Sequence, residues 1–96
     1  MATFLVLRRQ TGPEFDPGLP LEEQSGWPGH AAFMDGLAAD GFILFGGPLE
    51  GGRVAFAVEA ESADAVRSRL AEDPWHESHL VLDAVEPWTV RLDSRR

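Results

Sequence analysis

The chain of 96 residues contains no cysteine, no lysine and no tyrosine. Thiolate attack, Schiff-base formation and acid catalysis by a phenol are therefore excluded, and so are disulfides. Long apolar runs are missing too, since no stretch approaches the roughly 18 residues that a membrane span requires. Hydrophobic residues make up 44% and charged residues 25% of the chain, which is ordinary globular composition. We expect one soluble domain over residues 1–96.

Positive charge is also scarce. The eight basic residues face sixteen acidic ones, and they occur singly or in the pairs Arg8/Arg9 and Arg95/Arg96. Phosphate binding needs clustered cations, so neither nucleic acid nor a membrane is an expected partner. The first residues lack the charged start, long apolar core and cleavage site of a secretory signal, which predicts a cytoplasmic location.

Acid–base chemistry is what this composition leaves. Without thiols, side-chain amines or phenols, imidazoles are the side chains that exchange protons near neutral pH, and carboxylates can support them. The chain carries three histidines, at positions 30, 76 and 79. A carboxylate that meets one of them forms a candidate catalytic pair that needs no cofactor.

Apolar periodicity and turn signals predict six elements in the order strand, helix, strand, strand, helix, strand. We expect Ser25 and Ser62 to cap the helices, Pro74 to mark the end of the second, and Gly46 to Pro48 to break the second strand. In chain order the predicted elements cover residues 3–9, about 26–40, 41–49, 53–60, 63–73 and 79–92. This βαββαβ order is the ferredoxin-like arrangement, an α+β fold with two helices on one face of an antiparallel sheet.

Several predicted strands are apolar on both faces. In the first strand one face carries Phe4 and Val6, and the other carries Leu5 and Leu7. Helices on one side would leave the second face uncovered in a monomer, and a large exposed apolar patch is a liability. We therefore expect a homodimer that packs sheet against sheet, with assembly beyond the dimer left open.

His30 is the first candidate for chemistry. It begins an apolar stripe on the first predicted helix, followed by Phe33, Met34 and Leu37 at helical spacing. The positive end of the helix dipole and apolar burial both favour a neutral imidazole, which is the form that acts as a base. A histidine on such a stripe more often has a structural role in the core, and that alternative stays open.

Asp73 is the second candidate. It follows the second predicted helix and precedes Pro74 and Trp75, at the negative end of the helix dipole, where a carboxylate is poorly placed without a partner. In a ferredoxin-like fold the start of the first helix and the end of the second lie at the same end of the layer. Asp73 can then orient His30 and stabilise its protonated form. A simple cap on the turn into Pro74 is the alternative.

Other patterns indicate less. The Gly46-Gly47-Pro48 segment lacks the following helix and lysine of a phosphate loop, and it fits a strand end that a ligand or another chain approaches closely. His76 and His79, with Asp73 and Glu77, match no established zinc spacing, so we expect no metal site. The candidate substrate-binding residues are Trp27, Phe33, Gly46, Gly47, Pro48 and Trp75.

These features together resemble the YCII-related family over nearly the whole chain, from Phe4 to about Val90. The resemblance rests on the order and spacing of His30 and Phe33 in the first helix, a strand that ends in Gly46-Gly47-Pro48, and the motifs Asp73-Pro74-Trp75 and Glu86-Pro87-Trp88. It implies a dimeric α+β barrel of ferredoxin-like subunits with a His/Asp dyad in a pocket. The matching positions here are His30 and Asp73.

The resemblance carries fold better than function. One branch of the family resembles a dehydrochlorinase that acts on a chlorinated hydroxyquinol. The proline-rich loop at 11–25 departs from the simpler members and puts any shared substrate in doubt. Three hypotheses remain: a cofactor-independent isomerase, lyase or dehydrochlorinase-like enzyme acting on a small cyclic or aromatic substrate; a non-catalytic small-molecule binding protein; and a dimeric interaction module with a structural His/Asp pair.

Overall fold

The computed structural model describes residues 1–94, and the pair Arg95/Arg96 lies outside them. The described residues form four strands and two α-helices, with a short 3-10 turn at Leu21–Glu23. The elements are, in chain order, β1 (Ala2–Gln10), α1 (Trp27–Ala39), β2 (Ile43–Pro48), β3 (Arg53–Ala60), α2 (Ala63–Leu70) and β4 (Leu80–Pro87). The predicted order of elements is confirmed.

The four strands form one sheet in the order β2-β3-β1-β4, and every neighbouring pair is antiparallel. The two longest pairings bring β1 between β3 and β4, so the first strand is central although it begins the chain. This topology is compatible with the ferredoxin-like fold that the element order predicts.

The hydrophobic core lies between the sheet and the two helices. Strand residues alternate between the two faces, so Phe4 and Val6 of β1 are buried while Leu5 and Leu7 are only half-buried. On the helices, Leu37, Val66 and Leu70 are fully enclosed, and the indole of Trp75, in the turn after α2, completes the same cluster.

Four local expectations are corrected. Ser25 does not cap α1: the cap is Gly26, with φ +75°, and it makes no side-chain hydrogen bond. β2 does not break at Gly46 but continues to Pro48, because it pairs with β3 along its length. α2 ends at Leu70, since the next turns tighten to i→i−3 bonds before Pro74. β4 ends at Pro87 instead of extending to residue 92.

Candidate active site

His30 and Asp73 are in direct contact in the folded chain. The imidazole Nδ1 lies 2.9 Å from Asp73 Oδ1 and 3.0 Å from Oδ2. His30 lies in the first turn and a half of α1, and Asp73 follows the end of α2, so the two helices bring together residues 43 positions apart. Both side chains are almost completely enclosed, which shields their hydrogen bond from water.

Arg8 completes this buried cluster. Its Nη1 donates to Asp73 Oδ2 at 2.9 Å, and both side chains have no exposed surface. The backbone N–H of Trp75 donates to Asp73 Oδ1 at 2.9 Å. The carboxylate is therefore held by an imidazole, a guanidinium and a backbone amide. Within this cluster, Arg8 Nε and Nη2 are buried without a hydrogen-bond partner in the described residues.

These contacts keep Asp73 ionised. Burial alone raises the pKa of a carboxyl group, but here it is outweighed by the hydrogen bonds from His30 and Trp75 and by the charges of Arg8 and His30, so the pKa of Asp73 lies below its ordinary value. Burial lowers the pKa of Arg8, although the charge and hydrogen bond of Asp73 oppose this. A guanidinium keeps its proton at physiological pH, so the two groups form a buried ion pair.

The ionised carboxylate determines which imidazole nitrogen carries the proton. An aspartate anion only accepts hydrogen bonds, so the His30 Nδ1 that faces it must be the donor. In the neutral ring Nε2 then has the free lone pair. This is the arrangement in which a carboxylate orients a histidine base.

Trp75 holds the plane of the imidazole. Its indole stacks on the His30 ring with a centroid distance of 4.0 Å and an interplanar angle of 7°. The indole is fixed in turn because its Nε1 donates to the carbonyl of Ser25 at 2.8 Å. Trp27 packs at a tilt against both rings, with a centroid distance of 5.8 Å to each. Aromatic packing therefore leaves His30 little freedom to rotate.

A cavity of about 250 Å³ opens beside His30. Its wall is mainly apolar, and the side-chain polar groups in it come from His30, Gln10 and the two indoles. The lining residues are Gln10, Leu21, Trp27, His30, Met34, Gly47, Pro48, Val54, Phe56, Trp75 and Leu80. Two other concavities, of about 280 and 350 Å³, are lined by no histidine. Of these three cavities, the one at His30 is therefore the one that adjoins an imidazole.

The structure places the sequence-predicted binding residues in two groups. Trp27, Gly47, Pro48 and Trp75 line the cavity, while Phe33 and Gly46 do not. Phe33 packs against the hydrophobic core. Gly46 is pressed against β3, where a Cβ would lie 2.6 Å from the carbonyl oxygen of Ala55.

The sequence analysis missed the contact of Arg8 with Asp73. It also missed the part of the cavity wall that Gln10 and Leu21 form. A signal for Arg8 existed, since strand alternation puts it on the same face as Phe4 and Val6, which makes a buried charge in need of a partner. Leu21 belongs to the loop at 11–25. The amide of Gln24, buried in that loop, bonds to the backbone of Asp16 and Leu19 and so holds its shape.

The side chains of His76 and His79 have partners outside the dyad. His79 is buried between two serine hydroxyls, and His76 lies 3.7 Å from a carboxylate oxygen of Glu77 at the surface. Across residues 1–94, no three His, Asp or Glu side chains are grouped so as to hold a metal ion. His76, His79, Asp73 and Glu77, whose spacing matches no zinc pattern, are not grouped around a common point in this part of the chain.

Fold and site define a small α+β domain with a buried imidazole–carboxylate–guanidinium cluster beside an apolar cavity. In comparisons with protein-family models, with curated proteins and with solved structures, nothing matches this chain. The resemblance to the YCII-related family therefore stays a prediction. In the part of the chain that the structure describes, neither helix is long and apolar enough to cross a membrane.

Proposed function

We propose that this protein is a cofactor-independent enzyme in which His30 acts as a general base on a small cyclic or aromatic substrate. The observation that carries the proposal is that His30, which lines an apolar cavity, donates a hydrogen bond from Nδ1 to the ionised Asp73 behind it. Nδ1 is committed to Asp73, so Nε2 is the atom that takes a proton from substrate. Asp73 holds the required tautomer and stabilises the imidazolium that forms.

The reaction class follows from what accompanies the base. Within residues 1–94, the cavity wall has no serine, threonine or cationic side chain, so these residues supply neither a nucleophile nor a clamp for phosphate or carboxylate groups. A single base beside an apolar surface suits abstraction of a proton from carbon or from an acidic hydroxyl. Isomerisation, lyase chemistry and elimination of a halide all begin with that step.

The cavity indicates the substrate class. A volume of about 250 Å³ lies just below the range typical of small-molecule sites, and the two indoles with Met34 and Phe56 offer flat, polarisable surface. A neutral ring with one acidic proton fits this wall better than a charged metabolite does. The dehydrochlorinase-like branch of the resembled family acts on a chlorinated hydroxyquinol, which is also a ring with acidic hydroxyl groups.

Non-catalytic binding is the second candidate function. The same cavity, with His30 as a polar anchor in an otherwise apolar wall, has the composition of a binding site for a small ligand. A bound ligand and a substrate would make the same contacts with this cavity. The two functions differ only in whether a proton moves from the bound molecule to His30.

Proton transfer can be tested before the substrate is known. Incubating the protein in D₂O with a panel of cyclic ketones and chlorinated hydroquinols should yield at least one compound that gains deuterium or releases chloride. We expect His30→Gln to slow that reaction by about 10²–10⁴-fold, the usual contribution of a general base. Mass spectrometry of the compounds and a chloride electrode give the two readouts.

Binding without turnover in the wild type would support the second candidate, and equal turnover by His30→Gln would contradict the proposed base. Thermal melts of the variant add a control. A functional histidine tolerates replacement with little loss of stability, whereas a purely structural one does not. Met34→Leu, on the same cavity wall but unable to exchange protons, is the matched variant that should keep the chemistry.

We also propose that two copies associate through the sheet face that the helices leave uncovered. Support comes from the apolar side chains of that face, where Leu5 and Leu7 of β1 lie beside Ala57 and Ala55 of β3. Each is at most half-buried except Ala57. Packing sheet against sheet would remove this surface from water, as in the dimeric α+β barrel that the resemblance implies.

A further inference from the structure

Two serines and a second buried histidine form a cluster next to the proposed site. This cluster takes no part in the His30–Asp73 pair. Ser25 Oγ is 2.9 Å from His79 Nε2, and Ser78 Oγ is 2.8 Å from His79 Nδ1. His79 is 3% exposed, whereas Ser25 is at the surface. The imidazole stacks on Trp75 with a centroid distance of 4.6 Å and an interplanar angle of 15°. An accessible hydroxyl therefore meets a buried, oriented imidazole.

One tautomer of His79 satisfies the three hydrogen bonds around it. Ser78 Oγ–H donates to the carbonyl of Pro74 in a long bond of 3.5 Å, so the same oxygen is left to accept from His79 Nδ1–H. In that tautomer the proton of the neutral imidazole is on Nδ1. Nε2 then carries the lone pair, and Ser25 Oγ–H donates to it. This is the tautomer that a base for serine needs.

Backbone hydrogen bonds hold Ser25 and His79 close together, although they are 54 positions apart in the sequence. The loop that ends at Ser25 is bonded to the turn after α2 by Thr11 N–H to the carbonyl of His79, at 3.1 Å, and by Glu14 N–H to that of Ser78, at 2.9 Å. Trp75 Nε1 bonds the carbonyl of Ser25 itself. Ser25 also makes no helix cap, since Gly26 occupies the cap position of α1, so its hydroxyl is committed to His79.

Trp75 separates this cluster from the dyad. Two imidazoles that each stack within 5 Å of one indole centroid have no room side by side, so His30 and His79 occupy opposite faces of the ring. The two histidines therefore face different regions of the protein, and replacement of one leaves the other in place.

We propose that Ser25 is a nucleophile activated by His79 and takes acyl groups from small activated esters. In the first step Ser25 Oγ bonds to the ester carbonyl carbon while its proton moves to His79 Nε2. The carbonyl electron pair returns as the alcohol or phenol leaves with that proton. Water then attacks the acyl-serine, giving a proton to His79, and the free acid departs as Ser25 regains its hydrogen.

The absence of cysteine makes a direct test of the activation possible. Ser25→Cys and Ser68→Cys each contain a single thiol, and Ser68 is an exposed serine on α2. An ordinary thiol is only a few per cent ionised at pH 7, so a thiol that gives its proton to an imidazole should react with iodoacetamide about tenfold faster. We expect that difference between the two variants. Equal rates, or a slower Ser25→Cys, would overturn the proposal.

His79→Gln in the Ser25→Cys background should reduce the rate to that of Ser68→Cys, with folding checked by thermal melts. If that variant fails to fold, Ser78→Ala replaces it, because it removes the bond to Nδ1 but keeps the imidazole. It should give a rate between those of Ser25→Cys and Ser68→Cys. A rate unchanged by loss of His79 or of Ser78 would mean that the contact only ties the loop to the turn.

Acyl transfer itself is tested on the natural chain with p-nitrophenyl acetate. We expect release of nitrophenolate and a mass gain of one acetyl group, mapped by peptide analysis to Ser25. Ser25→Ala should lose the label and Ser68→Ala should keep it. No acetyl group on Ser25 would contradict the nucleophile. The readout is acetylation of Ser25 alone, so a negative result leaves the proposed His30–Asp73 dyad untouched.

Discussion

Asp73 is the residue at which the contacts of the site converge. It lies in the interior and accepts from the imidazole of His30, the guanidinium of Arg8 and the backbone N–H of Trp75. A buried charge costs several kcal/mol unless such partners satisfy it, and removing one partner of a buried pair leaves the other uncompensated. The same carboxylate therefore supports both the fold and the proposed base.

Asp73→Asn should destabilise the chain by about 3–5 kcal/mol at neutral pH, because Arg8 then stays buried without its anion. The folded-state pKa of Asp73 is lowered, so its ionised form stabilises the fold above about pH 4. That stability is lost as the pH falls from about 4 through the lowered pKa. Denaturant unfolding of both proteins from pH 7 to pH 2 should show the difference shrinking over that window.

Asp83→Asn is the matched control. Asp83 pairs with Arg9 at 2.7 Å, but Arg9 is half-exposed, so this bond contributes about 0–1 kcal/mol. A loss at neutral pH as large as that of Asp73→Asn would contradict the distinction between the two ion pairs. A constant difference between Asp73→Asn and the wild type at every pH would contradict the lowered pKa.

At the scale of elements, β2 depends on a glycine at its contact with β3. Gly46 pairs with Phe56, and a Cβ at position 46 would overlap the Phe56 ring and lie 2.9 Å from its Cα. Backbone atoms cannot move away without breaking the pairing of the two strands. Gly47 differs, since no heavy atom of residues 1–94, its chain neighbours excepted, lies within 4 Å of its Cβ position.

Gly46→Ala should therefore lower the free energy of unfolding by about 1–3 kcal/mol, the usual cost of forcing an extra methyl group into a packed contact. Gly47→Ala, one position along the same strand, should change it by less than about 0.5 kcal/mol. Urea unfolding of the pair gives both values under identical conditions. A Gly47→Ala loss equal to that of Gly46→Ala would mean that strand propensity, and not the contact with β3, sets the cost.

At the scale of the molecule, the helices cover one face of the sheet and leave the other to solvent. Apolar groups near that open face include Phe45, 51% exposed, and Trp88, 40% exposed, together with Val90 and Leu92 in the segment after β4. A concavity of about 280 Å³ lies among them. Two-layer domains bury one face of their sheet, and the other face is where we propose that a second copy packs.

The proposed dimer predicts that Phe45→Glu lowers the solution mass from that of two chains towards that of one, because a charge would be buried in the interface. Ala39→Glu, an equally large change of charge on exposed α1, should leave the mass unchanged. Light scattering coupled to size exclusion measures both. A wild type that already has the mass of one chain would contradict the dimer.

Local periodicity was enough to predict the order of elements, the β2–β3 hairpin and the position of His30 on the buried side of α1. These features depend on residues a few positions apart, which a sequence displays directly. Boundaries were less accurate. β2 continues through Gly46 and Gly47 because pairing with β3 outweighs the local preference of glycine for turns.

The site required long-range information. The motif Asp73-Pro74 suggested a partner for His30, but Arg8 looked like half of an ordinary basic pair at the end of a strand. Ser25 looked like a helix cap, although its hydroxyl bonds to His79, 54 positions later in the chain. The interpretations of Arg8 and Ser25 changed because the partner of each side chain lies in a distant part of the sequence.

The sequence by itself determined which chemistry is open to this protein, since it contains imidazoles and carboxylates but no thiol, lysine amine or phenol. It also determined the βαββαβ order. Only the tertiary structure decided that Arg8 and His30 share Asp73, that Trp75 stands between two histidines, and which residues wall the cavity. The reason is physical: composition and periodicity are local, whereas burial and hydrogen-bond partners depend on which elements pack together.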